Sequence, residues 1–485
     1  MNRICSLITV VAVCFCVALA GCGGNNQFGS QPQNNGNSSV VLAMTDAPPS
    51  NASILSAKVT LTGATLSPGN VPLFSGSTTV ELTRLQTDIA YITTATNIPA
   101  GNYTSVTLTF ANPSLTIEND TGSTIGSCVN GTICTMAPTA TFNLSTSVPL
   151  TNFTIAASSV TGLLIDENME TLLSSTLGAD FSAGTSVTSF LPGSVAPPPV
   201  GAPPVGAEDV VGHVQNLNAA NNTFTLTNAL ATYSLKVTSA STFFQFPSSA
   251  TCLTPGFACL QNNQILSVDI GIQSDGTIYA RNILFEDPDS SDVEVEGIVT
   301  STNVALHQFN FVVNSTSASV TGITIGMLVT AQYFTSPQTP FDVDFVHADN
   351  LQITTSSLAL VFTGPADLVP GQEISIRRNP SSGSTLLADR VRLRYSRVTA
   401  TVQSVGLPNI FLTNLPSLFS GQVGVVVTQI IAQTSTIPPT IYYSISIPVN
   451  ASTNIVNLLV SVRGPMFNTG GTNRTLIASK IVLQP

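Results

Sequence analysis

The sequence predicts an all-β protein with several domains. Only 8% of its residues are charged, and Thr, Ser, Val, Ile and Asn dominate, which is the composition of strands and turns. Its 485 residues are too many for one hydrophobic core, so roughly three to four domains are expected. Short segments that alternate apolar and polar residues are separated by Gly and Pro, which is the period-two pattern of half-buried strands.

The N-terminus has the pattern of an export signal. Arg3 precedes an apolar run that starts at Ile4 and is too short to span a bilayer. The run ends in Leu19-Ala20-Gly21-Cys22, which resembles the lipobox of bacterial lipoproteins. The resemblance implies that residues 1–21 are removed and that Cys22 carries lipid. The alternative is an ordinary export signal with a chance cysteine.

The residues after Cys22 predict how the protein is held at the membrane. Residues 22–38 are rich in Gly, Asn, Gln and Ser and are expected to form a flexible tether. Beyond Cys22 no segment approaches the roughly 20 apolar residues that a membrane span requires, so the body should be held only by its lipid. Gly23 follows Cys22 where lipoproteins retained in the inner membrane of Gram-negative bacteria carry Asp, which favours the outer membrane.

Four cysteines remain in the expected mature chain. Cys128 with Cys134, and Cys252 with Cys259, each bracket a short Gly-containing loop, which predicts two local disulfides in an oxidising compartment. Zinc is the weaker alternative because no two of the three histidines have the spacing of a ligand set. These histidines are His213, His307 and His347. No metal or cofactor is predicted.

Residues 39–192 form the first predicted domain. Its clearest strands are Val40 to Thr45, Ser56 to Leu61, Thr78 to Leu82 and Ser105 to Phe110. The motifs Met44-Thr45-Asp46-Ala47-Pro48 and Ile98-Pro99-Ala100-Gly101-Asn102-Tyr103 resemble the DUF4382 domain of bacterial lipoproteins. We expect an immunoglobulin-like or prealbumin-like β-sandwich. Asp46 is either a ligand or a turn residue, and the turn is favoured because Asp before Ala-Pro commonly bonds its own backbone.

Residues 193–207 are predicted to be a linker. They contain Ala-Pro-Pro-Pro-Val-Gly-Ala-Pro-Pro-Val-Gly, which favours extended polyproline over helix or inner strand. An exposed segment of this kind makes few contacts, so we expect it to be the principal site of limited proteolysis.

The chain beyond the linker repeats one pattern three times, in residues 208–287, 293–395 and 396–485. Similar opening strands start at Asp209, Val293 and Arg397, and each unit ends in a similar hairpin. The closing strands contain Ala-Arg-Asn-Ile, Ala-Asp-Arg-Val or Ala-Ser-Lys-Ile and resemble the DUF5666 family, which implies OB-like or related small barrels. Two pairs of segments are interpreted as extra strands inserted in the second and third units: Met327 to Phe334 with Phe341 to Ile353, and Val423 to Ala432 with Thr440 to Val449.

OB-like barrels often bind nucleic acid or sugar, and the composition of the chain bears on both ligands. A net charge of -11 disfavours nucleic acid, and the absence of Trp removes the side chain best suited to stack on a sugar. One stripe of arginines opposes the acidic background, formed by Arg390, Arg392 and Arg394 on one strand face with Arg377 and Arg378 on the partner strand.

Two interpretations of the stripe are open. It could bind an anion, or it could form an internal charge ladder with Glu294 and Glu296. The ladder is favoured, since a closed barrel would place the first and last strands side by side and give ion pairs of at most about 1 kcal/mol each. The acidic run Glu286, Asp287, Asp289 and Asp292 is interpreted as a solvated linker, because it lacks the ligand spacing of a calcium loop.

The sequence has no signature of a known catalytic site, such as a nucleophile elbow, a His-Glu-x-x-His motif or a phosphate loop. We therefore expect a lipid-anchored, non-catalytic envelope protein that binds a protein or glycan partner and no nucleic acid. The alternatives are a purely structural envelope component and an unrecognised secreted hydrolase.

Overall fold

The structure is a computed structural model that describes most of the chain from Ser38 onward. The described residues are 38–47, 53–136, 144–172, 180–193, 206–246, 252, 254–288, 292–343, 360–379, 386–406, 409–419, 423–426, 455–470, 473–478 and 480–483. The predicted signal, most of the tether and most of the linker lie outside them. In the described part, no helix is long and apolar enough to cross a membrane.

The first module is a β-sandwich, as the sequence predicts. One sheet has the order β4-β1-β8-β9, and the other has the order β3-β2-β5-β6 with β7 paired to β5. The strands are β1 Ser38–Ala47, β2 Ser53–Ser67, β3 Val71–Glu81, β4 Ala90–Ile98, β5 Gly101–Glu118, β6 Ile133–Met136, β7 Ser145–Ile155, β8 Val160–Asn168 and β9 Thr185–Phe190. A 3-10 turn at Leu82–Leu85 follows β3, and the short helices α1 Met169–Leu172 and α2 Phe181–Gly184 lie between β8 and β9.

Strand β1 is buried on both faces, whereas its sequence had suggested a half-buried strand. Val40 and Leu42 pack into the sandwich core. Val41 and Ala43 point the other way and pack into the core of the following barrel. The continuous apolar run of β1 is therefore the pattern of a strand covered on both sides.

Three six-stranded units follow the sandwich. The first, barrel 1, has β10 Gly206–Asn218, β11 Thr223–Thr227, β12 Thr232–Lys236, β13 Phe243–Gln245, β14 Ile265–Ile272 and β15 Ile278–Asp287. Barrel 2 has β16 Val293–Asn303, β17 Gln308–Thr316, β18 Leu328–Tyr333, β19 Phe341–Val343, β20 Glu373–Arg378 and β21 Leu386–Leu393. Barrel 3 has β22 Tyr395–Gly406, β23 Asn409–Thr413, β24 Val423–Val426, β25 Leu459–Gly470, β26 Asn473–Ile477 and β27 Lys480–Leu483.

The barrels share one topology. In barrel 2, β16, β17 and β18 form an antiparallel meander, β18 pairs parallel with β21, and β20 closes the ring between β21 and β16. Barrels 1 and 3 close in the same way. This ring is the small barrel that the repeats predict. Two of the segments interpreted as insertions are not insertions, because β18 and β24 are the third strands of their rings. Of Phe341 to Ile353 the structure describes β19, which pairs with β21, and Thr440 to Val449 lies outside the described residues.

Barrels 1 and 2 each have a crowded glycine in the opening strand. A Cβ atom on Gly297 would lie 2.2 Å from the carbonyl oxygen of Val312 on the next strand. A Cβ on Gly212 of barrel 1 would lie 2.8 Å from the oxygen of Thr227. The glycine therefore lets the backbones of the first two strands approach closely.

The modules are packed together and share hydrophobic cores. The core between the sandwich and barrel 1 contains Leu164 and Leu266. Phe467 and Ile477 of barrel 3 pack into the core of barrel 2, and Leu55 of the sandwich packs into the core of barrel 3. Contacts of this kind make the four modules one packed body.

Candidate functional site

Many of the charged residues of this sparsely charged chain gather where the four modules meet. We call this set the ionic junction. Its members are Arg84 and Asp88 of the sandwich, Glu208, Asp209, Arg281 and Glu286 of barrel 1, Glu294, Glu296, Glu373, Arg390, Arg392 and Arg394 of barrel 2, and Arg397 and Arg463 of barrel 3.

Barrels 1 and 2 meet at Glu286, near the end of β15. Its side chain is 1% exposed, and its carboxylate lies 2.5 Å from Nη1 of Arg392, 2.7 Å from Nη1 of Arg394 and 3.3 Å from Nη2 of Arg390. Burial alone would raise the pKa of Glu286, but the three guanidinium groups lower it to about 2. This carboxylate is therefore ionised, and the three guanidinium groups stabilise its negative charge.

The predicted charge ladder is confirmed, with a different strand order. Arg390 pairs with Glu294, and Arg394 lies 3.0 Å from Glu296. The expectation that the first and last strands are neighbours is wrong, since β20 lies between β16 and β21. The long arginine side chains reach across β20, whose last residue is Arg378. The pairs are also buried, so removing one partner costs more than at a surface.

The acidic run that begins at the end of β15 is not the solvated linker that its composition suggested. Asp287 is buried and lies 2.9 Å from Nη1 of Arg377. The same guanidinium contacts Asp389 at 2.7 Å and Asp292 at 3.8 Å. Asp289 lies outside the described residues. The run is instead the acidic side of the contact between barrels 1 and 2.

Barrel 3 enters the junction through Arg463, which is fully buried. Its Nη1 lies 2.5 Å from Glu208, and its Nη2 donates to the carboxylate of Asp209. The guanidinium carbon also lies 4.8 Å above the ring of Tyr395. The positive charge is thus paired with two carboxylates and an aromatic face.

A bulge in β10 makes this pairing geometrically feasible. Neighbours on a regular strand point to opposite faces, so Glu208 and Asp209 could not both reach Arg463. The register of β10 with β14 shifts between Ala207 and Val210, and Asp209 has a φ of 57°, in the left-handed region. The backbone N–H of Asp209 donates to Oδ1 of Asp269 at 3.0 Å, which holds the bulge.

The sandwich contributes one cation and one anion. Arg84 lies 2.6 Å from Glu296 of barrel 2 and donates to the backbone oxygen of Asp209 at 2.9 Å. Asp88 lies 3.0 Å from Arg397 of barrel 3, which also lies 2.9 Å from Glu373 of barrel 2. The only signal that the sequence carries for Arg84 and Asp88 is that they are charged residues in a nearly uncharged segment, so neither was predicted as a site residue.

One cavity borders the junction, between the sandwich and barrel 1. It measures about 70 Å³ and is lined by residues that include Glu81, Arg84, Asp209 and Tyr233. Burial raises the pKa of Tyr233 to about 12, so its hydroxyl stays protonated. A cavity of this size holds a few water molecules and is far smaller than an ordinary ligand pocket of roughly 300 Å³ or more.

The histidines do not assemble a described catalytic site. His213 is buried, its pKa is lowered by burial, and its Nε2 lies 3.3 Å from Oγ of Ser317. Ser317 is itself fully buried, so a substrate cannot reach this pair. His307 follows a 3-10 turn and packs its ring against Tyr333 at 5.6 Å. His347 lies outside the described residues, among which no group of three or more His, Cys, Asp or Glu is placed to hold a metal.

The paired cysteines lie where the sequence predicts disulfides. The Cα atoms are 5.7 Å apart for Cys128 and Cys134, and 5.4 Å apart for Cys252 and Cys259, with the sulfur atoms bonded in both pairs.

Asp46 is not the turn residue that its motif suggested. It lies inside β1, its side chain is 3% exposed, and neither carboxylate oxygen accepts a hydrogen bond. The backbone bond on which the turn interpretation depended is therefore absent from this side chain.

Comparison with known proteins supports the interpretation of the first module. Residues 37–188 match the family model described as "Domain of unknown function (DUF4382)". No curated protein matches the chain. Among solved structures, a multidomain protein with nucleic acid binding domains from Streptococcus pneumoniae is similar, with 11% identity over 57% of this chain and 73% of that chain. Its TM-score of 0.11 is too low to support an argument about fold or function.

Proposed function

We propose that this protein is a lipid-anchored, non-catalytic interaction module of the cell envelope, whose β modules act as one rigid body. The ionic junction carries this proposal. It joins all four modules through buried ion pairs, and it contains three of the arginines that could otherwise have formed an anion site, namely Arg390, Arg392 and Arg394. The junction is therefore architectural, and a partner would bind elsewhere.

The outer face of the larger sandwich sheet is the surface that best suits a partner. Thr65 is paired with Thr107, and Thr107 with Ser147, on three neighbouring strands. Thr109 and Ser145 form the next row. These side chains are exposed or half-buried, and adjacent strands lie about 4.8 Å apart, so the rows form a sheet face of closely spaced hydroxyl groups.

The chemistry of this face favours an uncharged partner. A row of hydroxyl groups can donate and accept hydrogen bonds but offers no charge to a polyanion. A neutral glycan or a polar polypeptide segment fits it better than a phosphate-rich ligand. Lipid at Cys22 would keep the face at the membrane.

Capture from solubilised envelope tests the proposal. The full chain, tagged at its C-terminus, should retain a protein or glycan partner, and Ser147→Glu should abolish that capture by placing a charge within the rows of hydroxyl groups. Ser234→Glu is the matched control, since Ser234 is an exposed strand serine of barrel 1. Both variants should melt at the temperature of the unmodified protein.

Two results would contradict this assignment. Equal capture by both variants would exclude the hydroxyl face. Failure of the unmodified chain to capture any partner would favour a purely structural envelope component, for which the rigid packing of the modules is also suitable.

A further inference from the structure

A second group of charged residues lies in the sandwich, apart from the ionic junction. Asp46 near the end of β1 is the register partner of Glu167 near the end of β8, and the two strands are parallel. Asp46 is 3% exposed and Glu167 is fully buried. Parallel neighbours lie about 4.8 Å apart, so two carboxylates are buried side by side.

Both carboxylates face the interior of the sandwich. Met44 and Ile165, two residues before Asp46 and Glu167 on their strands, belong to the sandwich core. Side chains two residues apart on a strand point to the same face. The acidic pair therefore continues the core-facing rows of β1 and β8.

Most of the oxygen atoms of this pair have no hydrogen-bond donor. Both carboxylate oxygens of Asp46 and Oε1 of Glu167 accept no hydrogen bond. The remaining oxygen, Oε2 of Glu167, accepts from Oγ1 of Thr185 at 2.8 Å. Buried carboxylates normally pair with a cation, accept hydrogen bonds or coordinate a metal, because leaving them unpaired is costly.

The ionisable groups that act on the pair are acidic. Asp166 and Glu81 both raise the pKa of Asp46, after the larger effect of burial. Glu81 already accepts hydrogen bonds from Ser56 and the backbone of Ala57. Arg84, three residues beyond Glu81, is directed to Glu296 in the ionic junction. No positive side chain is shown pairing with the acidic pair among the residues described.

We propose that Asp46 and Glu167 bind a divalent cation of the calcium type. The atoms available as metal ligands are all carboxylate oxygens, which favours a hard cation over zinc or copper. Calcium accepts irregular oxygen sets, whereas magnesium requires near-ideal octahedral geometry. Two side chains supply the charge that neutralises the cation, and water or backbone oxygens would complete its coordination.

Calcium titration of the full chain tests this site. After dialysis against EDTA, calcium chloride should produce saturable heat in calorimetry and raise the melting temperature by a few degrees, as a ligand specific for the folded state does. Asp46→Asn and Glu167→Gln should each abolish both responses. Asp180→Asn, which changes an exposed aspartate of the same module, should leave them intact.

Each other outcome overturns the proposal. If the unmodified chain shows neither heat nor a shift in melting temperature, the pair does not bind calcium. If calcium has no effect and Asp46→Asn melts higher than the unmodified chain, the pair is held as neutral carboxylic acids. If Asp180→Asn loses the response as well, calcium acts elsewhere in the module. Should the two site variants fail to fold, the absence of saturable heat from the unmodified chain still overturns the proposal.

Discussion

Replacing Glu286 with Gln removes the negative charge that three arginines share, while keeping the shape of the side chain. The pKa of Glu286 is about 2 in the folded protein, against an ordinary value of 4.5. That difference corresponds to about 3 kcal/mol of stabilisation at neutral pH. Breaking a buried pair typically costs a similar amount, about 3 to 5 kcal/mol. Glu286→Gln should therefore lower the free energy of unfolding by about 3 kcal/mol at pH 7.

The pH dependence gives a sharper test. Because folding lowers the pKa of Glu286, its contribution is complete above pH 4.5 and is lost as the pH falls towards 2. The unmodified protein and Glu286→Gln should differ in urea unfolding at pH 7 and converge near pH 2. The chain has no Trp, so tyrosine fluorescence is a suitable signal. Equal stability at pH 7, or a difference that persists at pH 2, would refute the reasoning; Asp180→Asn should show neither effect.

Four further predictions concern the junction, the linker, the disulfides and the anchor. Arg463→Met should lower the free energy of unfolding by about 3 kcal/mol because it removes the buried cation that pairs with both Glu208 and Asp209, which keep Arg281 at 3.1 Å and Arg397 at 3.8 Å, and unchanged urea denaturation of this variant would show that the pairs are unimportant. Proteolysis within residues 194–205 should give fragments that still elute together in gel filtration, since the sandwich and barrels share cores; separate elution would contradict the packed arrangement. Cys22→Ser should abolish labelling with a fatty-acid analogue, and continued labelling would overturn the lipid anchor. Non-reducing peptide mapping should find only the disulfides Cys128–Cys134 and Cys252–Cys259. Free thiols at these positions would contradict this prediction.

Local pattern was enough to predict the strands and the repeat. Alternation predicted β2 and β5, and the repeated hairpins are the paired strands β14 with β15 and β20 with β21. These features depend on residues close together in sequence. The third strand of barrels 2 and 3 was misinterpreted because its role is set by a parallel partner, β21 or β26, that comes much later in the chain.

The ionic junction could be predicted only in part, for the same reason. The ladder within barrel 2 follows from alternating charges on two strands of one unit. Glu286 was assigned to a solvated linker because its neighbours in sequence are acidic, yet its partner Arg392 is 106 residues away. Nothing local to Arg84 or Arg463 indicates which carboxylates they meet. Burial of a charge is decided by the packing of whole modules.

Barrels 1 and 2 carry opposite charges at equivalent positions, and these charges favour packing between unlike barrels over packing between like ones. Glu286 comes six residues after Ala280 in the last strand of barrel 1, and Arg394 comes six residues after Ala388 in barrel 2. These two equivalent residues form an ion pair with each other. Apolar contacts alone would let one barrel replace another with little change in the free energy of packing, because hydrophobic burial is not directional. Buried charges exclude such exchanges, since a barrel placed beside its own copy would bring like charges together without water. The junction thus favours the observed pairing of barrel 1 with barrel 2 over a pairing of like barrels.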